Sequence, residues 1–383
     1  MIQNSVAGRP KGVPSQVPGS LPAQTPGPRK EASASPNGEL STKHTALFTL
    51  RGDVTVRKDA FGFALLALMA ASGVAYGVEP PTYPCYQAPV PPAMDGLVAT
   101  DPAWERIPAV TGFSKLGDGY TQAKQTRVQA CWDAEALYIG VICEEPDVAR
   151  MALHVRDGGP IWEDDGIEVF LMPGEGGPVS QFAVTAGGAK GGFVGAPDFR
   201  KFQAAAHTDA ESYSLEIRIP FGLLKAAPKV GDRWRGDFCR NIWTTYSGGD
   251  KFTCWAPLVT QFFEPEHYAT IVLSGPAPDV AQAQALTEQL NSGYRADLAR
   301  RLRETAALGR EYFPALAAAA GNAEYQAEAL RLARDWRELR RVERQAGRAP
   351  LTSLRRTLKD ADSLVQQSYH LKYAYLIATV LGD

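Results

Sequence analysis

The chain has 383 residues, 45% of them hydrophobic and 21% charged, with a formal net charge of −2. That is ample material for a packed core plus an extension or second unit, and the near-neutral balance excludes a general attraction to nucleic acid or anionic membranes. Five cysteines (Cys85, Cys131, Cys143, Cys239 and Cys254) make no C-x-x-C pair, which argues against a zinc ribbon or thioredoxin motif, and their odd number leaves a free thiol or an intermolecular bridge in an oxidising compartment.

Residues 1–56 are rich in Pro, Gly, Ser and Thr and show no hydrophobic period. Prolines 10, 14, 18, 22, 26 and 28 would break any helix, so this stretch reads as a disordered leader. Residues 57–77 open on Arg57-Lys58 and continue as an uncharged apolar run, Ala60–Val78, with small residues at its end. This is the pattern of a secretory signal peptide, and its length also suits a single membrane anchor; either way the folded part is exported. The position of the signal implies a translation start near Val54 or Val56.

Residues 78–275 read as β-rich. After a proline-rich lead-in, Glu79–Pro92, Thr126–Trp132 and Leu137–Cys143 alternate around the turn Asp133–Ala136, which predicts a hairpin. Gln181–Thr185 and Gly191–Val194 form a second pair around a glycine-rich turn. Tyr213–Pro220 alternates with Leu215, Ile217 and Ile219 inward, and Phe221–Leu224 suits one helical turn. Trp234–Tyr246 and Phe252–Pro257 flank Ser247-Gly248-Gly249-Asp250 as a further hairpin, and Tyr268–Leu273 closes the region. About eight to ten short strands with turn signals predict an all-β antiparallel sandwich.

Ile161–Leu171 is the most informative stretch. Ile167, Val169 and Leu171 point one way and Glu168 and Phe170 the other, the period of a half-buried strand. Counting back by twos puts Asp164 and Trp162 on the face of Glu168 if the approach is extended. An indole beside a carboxylate suits a sugar, whose C–H face lies on the ring and whose hydroxyls donate to the acid. The same residues also suit a core tryptophan and a solvated strand end.

Asp95-Gly96, Trp104, Leu137–Val141, Trp162–Phe170, Glu216–Phe221 and Trp255, in this order, resemble the family 9 carbohydrate-binding module over about residues 94–274. The resemblance implies a sugar-binding β-sandwich of the kind attached to plant-polysaccharide-degrading enzymes, with two tryptophans enclosing a sugar and structural calcium. Trp162 matches the first tryptophan, Glu168 the acid that accepts sugar hydroxyls, and Trp255 the second tryptophan. Asp164 and Asp165 are the candidate calcium ligands, as paired acids beside a turn; Asp165 reads equally as a structural hydrogen-bond acceptor.

A glycoside hydrolase would need two carboxylates across one bond. Glu168 and Glu216 come from separate strands with no spacing that ties them, and Glu216 reads as a strand anchor. Tyr246-Ser247-Gly248-Gly249 is a hairpin turn without a supporting His/Asp pattern, and the five histidines form no H-E-x-x-H. Trp104, Trp132, Trp234, Trp243 and Trp336 read as packing residues.

Residues 276–383 change character: Ala, Leu, Arg and Glu dominate. Leu286, Leu290, Tyr294, Leu298 and Leu302, then Tyr325, Ala329, Leu332, Trp336 and Leu339, then Leu351, Leu354, Leu358, Ala361 and Val365 recur at helical spacing, with breaks at Pro314–Asn322 and Gly347–Pro350. A small C-terminal α-helical bundle of three helices is expected. Its arginines have acidic neighbours at helical spacing, which predicts a solvated face rather than a nucleic-acid surface and leaves the apolar stripes to dock a protein partner or a second copy. The composite expectation is an exported, non-catalytic carbohydrate-binding protein, with an interaction protein and a glycosidase as the other readings.

Overall fold

The computed structural model describes residues 80–381 apart from 175, 196 and 246–250. The leader, the signal or anchor, the start site and the turn at 247–250, with its serine, lie outside the described residues.

Among the described residues, thirteen strands form one sheet: β1 (Thr82–Gln87), β2 (Ala109–Val110), β3 (Ser114–Lys115), β4 (Thr126–Trp132), β5 (Ala136–Glu144), β6 (Gly166–Met172), β7 (Ser180–Thr185), β8 (Lys190–Gly191), β9 (Gln203–Thr208), β10 (Ser212–Pro220), β11 (Arg233–Asn241), β12 (Phe252–Cys254) and β13 (Ala269–Pro276). The order is β8-β7-β6-β11-β13-β1-β4-β5-β10-β9, with β2 beside β4 and β12 between β11 and β3. The sheet curls around a single core. Ile167, Val169 and Leu171 of β6 meet Val128 of β4, Ile139 of β5, Leu215 and Ile217 of β10 and Phe238 of β11. Each such side chain contributes about 1.5–3 kcal/mol by leaving water.

The expectation of a purely antiparallel sandwich is corrected: the sheet is mixed, because β1 runs parallel to both β13 and β4. Strand β1 lies within the supposed proline-rich lead-in. Thr270 N donates to Pro81 O, so residues 81 and 83 turn their backbone groups to β13 and residue 84 turns its own away. On that side β4 pairs with Tyr86 and Gln87 alone. Pro84 therefore occupies a position where no ladder bond is lost, the situation in which a strand accepts proline.

On the outer face of β10, Glu216 is fully buried. Its carboxylate accepts Asp95 N at 2.8 Å, Gly96 N at 2.9 Å and Trp104 Nε1 at 2.8 Å. It thereby anchors the Asp95-Gly96 turn and the Trp104 indole, which is the strand-anchoring role expected of it.

The helices are α1 (Phe221–Leu224), α2 (Val280–Leu290), α3 (Ser292–Ala319), α4 (Gln326–Glu343) and α5 (Leu351–Leu381). Asp279 and Gln282 make a capping box at the start of α2. Helices α3, α4 and α5 pack around Leu298, Leu302, Leu332, Trp336, Leu354 and Leu358, and Trp336 Nε1 donates to Ser368 Oγ at 2.9 Å. The first predicted helix is divided at Asn291, whose amide bonds Thr111 N and Ala109 O across the junction with the sheet. The helix then continues through Pro314 and ends at Ala319, inside the break expected at Pro314–Asn322.

Replacing Glu216 by Ala should orphan three buried donors and cost about 3 kcal/mol. Urea denaturation should show a lower midpoint with an unchanged slope.

Candidate functional site

The antiparallel register sets Glu168 of β6 opposite Cys239 of β11 and Ala183 of β7, with Asn241 opposite Gly166 and Gln181 opposite Phe170. Directly opposed residues share a face, so Glu168, Gln181 and Asn241 all point outward, away from the core that takes Ile167 and Val169. Gly166 contributes no side chain to this row, and a Cβ there would lie 2.6 Å from Val184 O.

The three polar side chains form a buried floor. Glu168 accepts Asn241 Nδ2 at 2.7 Å on one oxygen and Gln181 Nε2 on the other. Gln181 Oε1 accepts the backbone N–H groups of Phe193 and Val194. Burial pushes the Glu168 carboxyl above its ordinary range, and the amides of Asn241 and Gln181 pull it partly back. Asn241 is 1% exposed and its Oδ1 has no partner among the described residues. A buried acceptor left open beside a carboxylate costs about 1–3 kcal/mol unless something donates to it.

Aromatic rings stand around this floor. Ile161–Glu163 forms a 3-10 turn, so the extended approach that would have carried Trp162 onto the Glu168 face by simple alternation is corrected. The turn nonetheless delivers the ring to the same neighbourhood: Trp162 meets Phe193, centroids 4.4 Å apart at 70°, and Phe193 is tied to Gln181. Trp243 Nε1 donates to Trp162 O at 2.9 Å. Trp243 is half-buried, stands edge-on to Phe252 at 6.4 Å and carries Lys251 Nζ over its ring at 4.2 Å. Phe252 pairs with Asn241 across β11 and β12 and shares its face.

Trp255 is placed elsewhere. Its ring packs edge-on to Tyr83 and tilted against Phe238, both core residues. Phe238 lies opposite Val169 and faces inward, whereas Cys239, its neighbour, faces outward with Glu168. The structure thus links Trp162 to Glu168 indirectly, through Phe193 and Gln181, and turns the Trp255 ring to the core residues Tyr83 and Phe238, with its edge also against the outward cluster of Cys239 and Cys254. Trp243, read from sequence as a packing residue, takes a place beside Trp162. Strand β11 ends at Asn241 rather than running to residue 246, and that ending frees the indole. An asparagine two residues before a tryptophan, ahead of a glycine turn, was the available signal.

Asp164 and Asp165 act as hydrogen-bond acceptors. Asp165 is fully buried and accepts Ala152 N at 2.8 Å and Trp243 N at 2.9 Å; burial raises its pKa and those two N–H groups oppose the shift. It therefore holds the Trp243 backbone against the start of β6. Asp164 Oδ2 accepts Val155 N at 2.7 Å, and its Oδ1 faces His154 Nδ1 at 3.6 Å. Three of the four oxygens are committed to backbone donors, and among the described residues no three His, Cys, Asp or Glu side chains converge. Asp164 Oδ1, buried and without a hydrogen-bond partner among the described residues, is the one oxygen of the pair left open to a cation.

Glu216 and Glu168 lie on strands separated by β11, β13, β1, β4 and β5, so the pair of acids a glycosidase would need is not assembled from them.

The family described as carbohydrate family 9 binding domain-like matches residues 94–275. Among solved structures, a family 9 carbohydrate-binding module from Caldicellulosiruptor kristjanssonii in complex with cellotriose is 17% identical; the match covers 51% of this chain and 95% of that one, with a TM-score of 0.38. One from the same organism in complex with glucose is 17% identical over 51% of this chain and 98% of its own, also at 0.38. No curated protein matches.

Proposed function

Residues 94–275 belong to the carbohydrate family 9 binding domain-like family, and from that premise we propose that the outward face at the ends of β6 and β11 binds a carbohydrate without covalent chemistry. The observation that carries this reading is the Asn241 Oδ1: a buried acceptor with no partner among the described residues, next to a carboxylate whose two oxygens are already oriented by amides. Sugar hydroxyls are donors as well as acceptors and satisfy such a floor. The half-exposed rings of Trp162 and Trp243 and the exposed Phe193 offer apolar surface for the C–H faces. The fixed amide–carboxylate geometry lowers the ordering cost of binding.

Glucose and cello-oligosaccharides, the ligands of the similar modules, are the first probes. Calorimetry on the full chain should show Trp243→Ala or Asn241→Ala weakening binding by about 2 kcal/mol, roughly thirtyfold. Trp255→Ala should instead lower stability by about 3 kcal/mol with affinity retained in the folded fraction. Unchanged affinity in both site variants would overturn the assignment.

Glu168 also sets a pH dependence. Only the ionised form has both oxygens free to accept, and its raised pKa means that this form is lost earlier on acidification than for an ordinary glutamate. Affinity should be complete above the raised pKa and fall as pH drops through it, by up to about tenfold per pH unit. A Glu168→Gln variant should bind more weakly at neutral pH and show no such slope. A titration of Kd between pH 4 and 8 checks the sign.

Export belongs to the same reading, supported by Arg57-Lys58 followed by the uncharged run 60–78. N-terminal sequencing of chain recovered outside the cytosol should begin near residue 78; a chain retained in the cytosol with residues 57–77 intact would contradict it.

A further inference from the structure

We propose that Cys239 and Cys254 are a disulfide-forming pair that closes the hairpin carrying Asn241, Trp243 and Phe252. The two residues are directly opposite one another on β11 and β12. Trp255 N donates to Phe238 O at 3.1 Å and Ile242 N to Lys251 O at 2.7 Å. These bonds make 238/255 and 242/251 the hydrogen-bonded pairs of the ladder, and 239/254 falls on a non-hydrogen-bonded pair. At such positions the Cα atoms are about 4.5 Å apart and the side chains lean together, within the span of about 4.4–6.8 Å that a disulfide bridges. Both side chains lie on the outward face in one cluster with Phe170 and Tyr268. Both are fully buried free thiols here. Their present sulfur contacts are weak and cost little to give up: Asp237 Oδ2 at 3.7 Å and Ser114 O at 3.8 Å.

The remaining cysteines have no comparable partner. Cys85 faces the interior core, while Cys131 faces the opposite side of the sheet beside Trp104. Cys143 pairs with Thr126 at the far end of β4 from the place where β1 joins it. The sequence alone left the pairing open; the register selects one pair.

Oxidation takes one proton and one electron from each thiol. The Cys239 Sγ–H and Cys254 Sγ–H bonds break, one Sγ–Sγ bond forms, and a small-molecule or protein disulfide accepts the two protons and two electrons as its own S–S bond opens into two thiols. The new bond ties β12 to β11 opposite Glu168 and two residues before Asn241, so β12 cannot peel away from β11 beside the site. That consequence rests on the carbohydrate-binding reading above; the bond itself does not.

The test is oxidative refolding of the reduced, unfolded full chain in a glutathione redox buffer, where all five thiols are accessible, followed by alkylation and peptide mapping. The expected product has three alkylated cysteines and a linked peptide pair joining Cys239 to Cys254, two hydrogens lighter than the reduced pair. Cys254→Ser should give four free thiols. Five free thiols in the wild type, a bond to any other cysteine, or a bond between chains overturns the pairing. For the oxidised wild type, glucose or cello-oligosaccharide should dissociate about threefold more slowly than after reduction. An equal rate overturns the role of the bond in the site. A chain that forms the bond and binds neither sugar sinks the carbohydrate reading and leaves the pairing standing.

Discussion

A guanidinium with no exposed surface sits inside the curled sheet, and the proposed binding face depends on how it is compensated. Arg240 donates to Glu144 O at 2.8 Å and Gln125 O at 3.3 Å, meets the Glu145 carboxylate at 3.5 Å, and lies 5.4 Å from the centre of the Tyr213 ring. Glu145, also fully buried, accepts in addition Lys124 Nζ and Thr244 Oγ1, both at 2.7 Å. A buried ion pair of this kind is a weak source of net stability, because desolvation offsets attraction, yet removing one partner strands the other and costs about 3–5 kcal/mol. Its value here is positional. It fastens the end of β11 to the ends of β4 and β5, and through Thr244 it fastens the residue next to Trp243.

The alternation at this point divides the scaffold from the proposed site. Arg240 points inward and builds the scaffold, and Asn241, one residue on, points outward and builds the floor. Asp165 repeats the device from the other side: its carboxylate receives the Trp243 N–H while the adjacent Gly166 leaves the outward face open. Two buried acids from different parts of the chain thus fix one short segment, 243–244. The indole presented there has no strand partner of its own. Rigid support beneath a half-exposed ring is what gives a stacking surface its selectivity, since little conformational freedom remains to be lost on contact.

Much of the architecture was legible in the sequence because a curled sheet imposes a strict two-residue period. The strands at 126–132, 136–144, 166–172 and 212–220 appear where alternating hydrophobicity put them. Strand β1 was not legible, since Pro84 reads as a breaker until its neighbours are known. At the site, Glu168 followed from the period and Trp162 reached its place by a turn that the period does not describe. Trp255 against Trp243 shows the limit most clearly. The two indoles are equally aromatic in sequence; what separates them is whether the backbone is still in register when each is reached. Trp255 stays in the ladder through its N–H to Phe238 O and is sent inward, whereas Trp243 comes after the last residue of β11 and is released. Gln181 and Asn241 were not legible either, because neither has meaning until β7, β6 and β11 are placed side by side.

The helical unit joins the sheet at the same corner. Arg355 of α5 forms a two-pronged pair with Glu144, the residue before Glu145, and Arg301 of α3 lies over the Tyr120 ring at 5.2 Å. Asn291 and Arg106 add backbone bonds across the junction. These contacts are polar and specific rather than broadly apolar, so they set orientation more than they add stability. Glu144 therefore occupies a shared position: its side chain holds the bundle, and its carbonyl holds the buried Arg240. Glu144 and Glu145, adjacent in the chain, thus join the bundle to the buried Arg240 and, through Thr244, to the segment that presents Trp243.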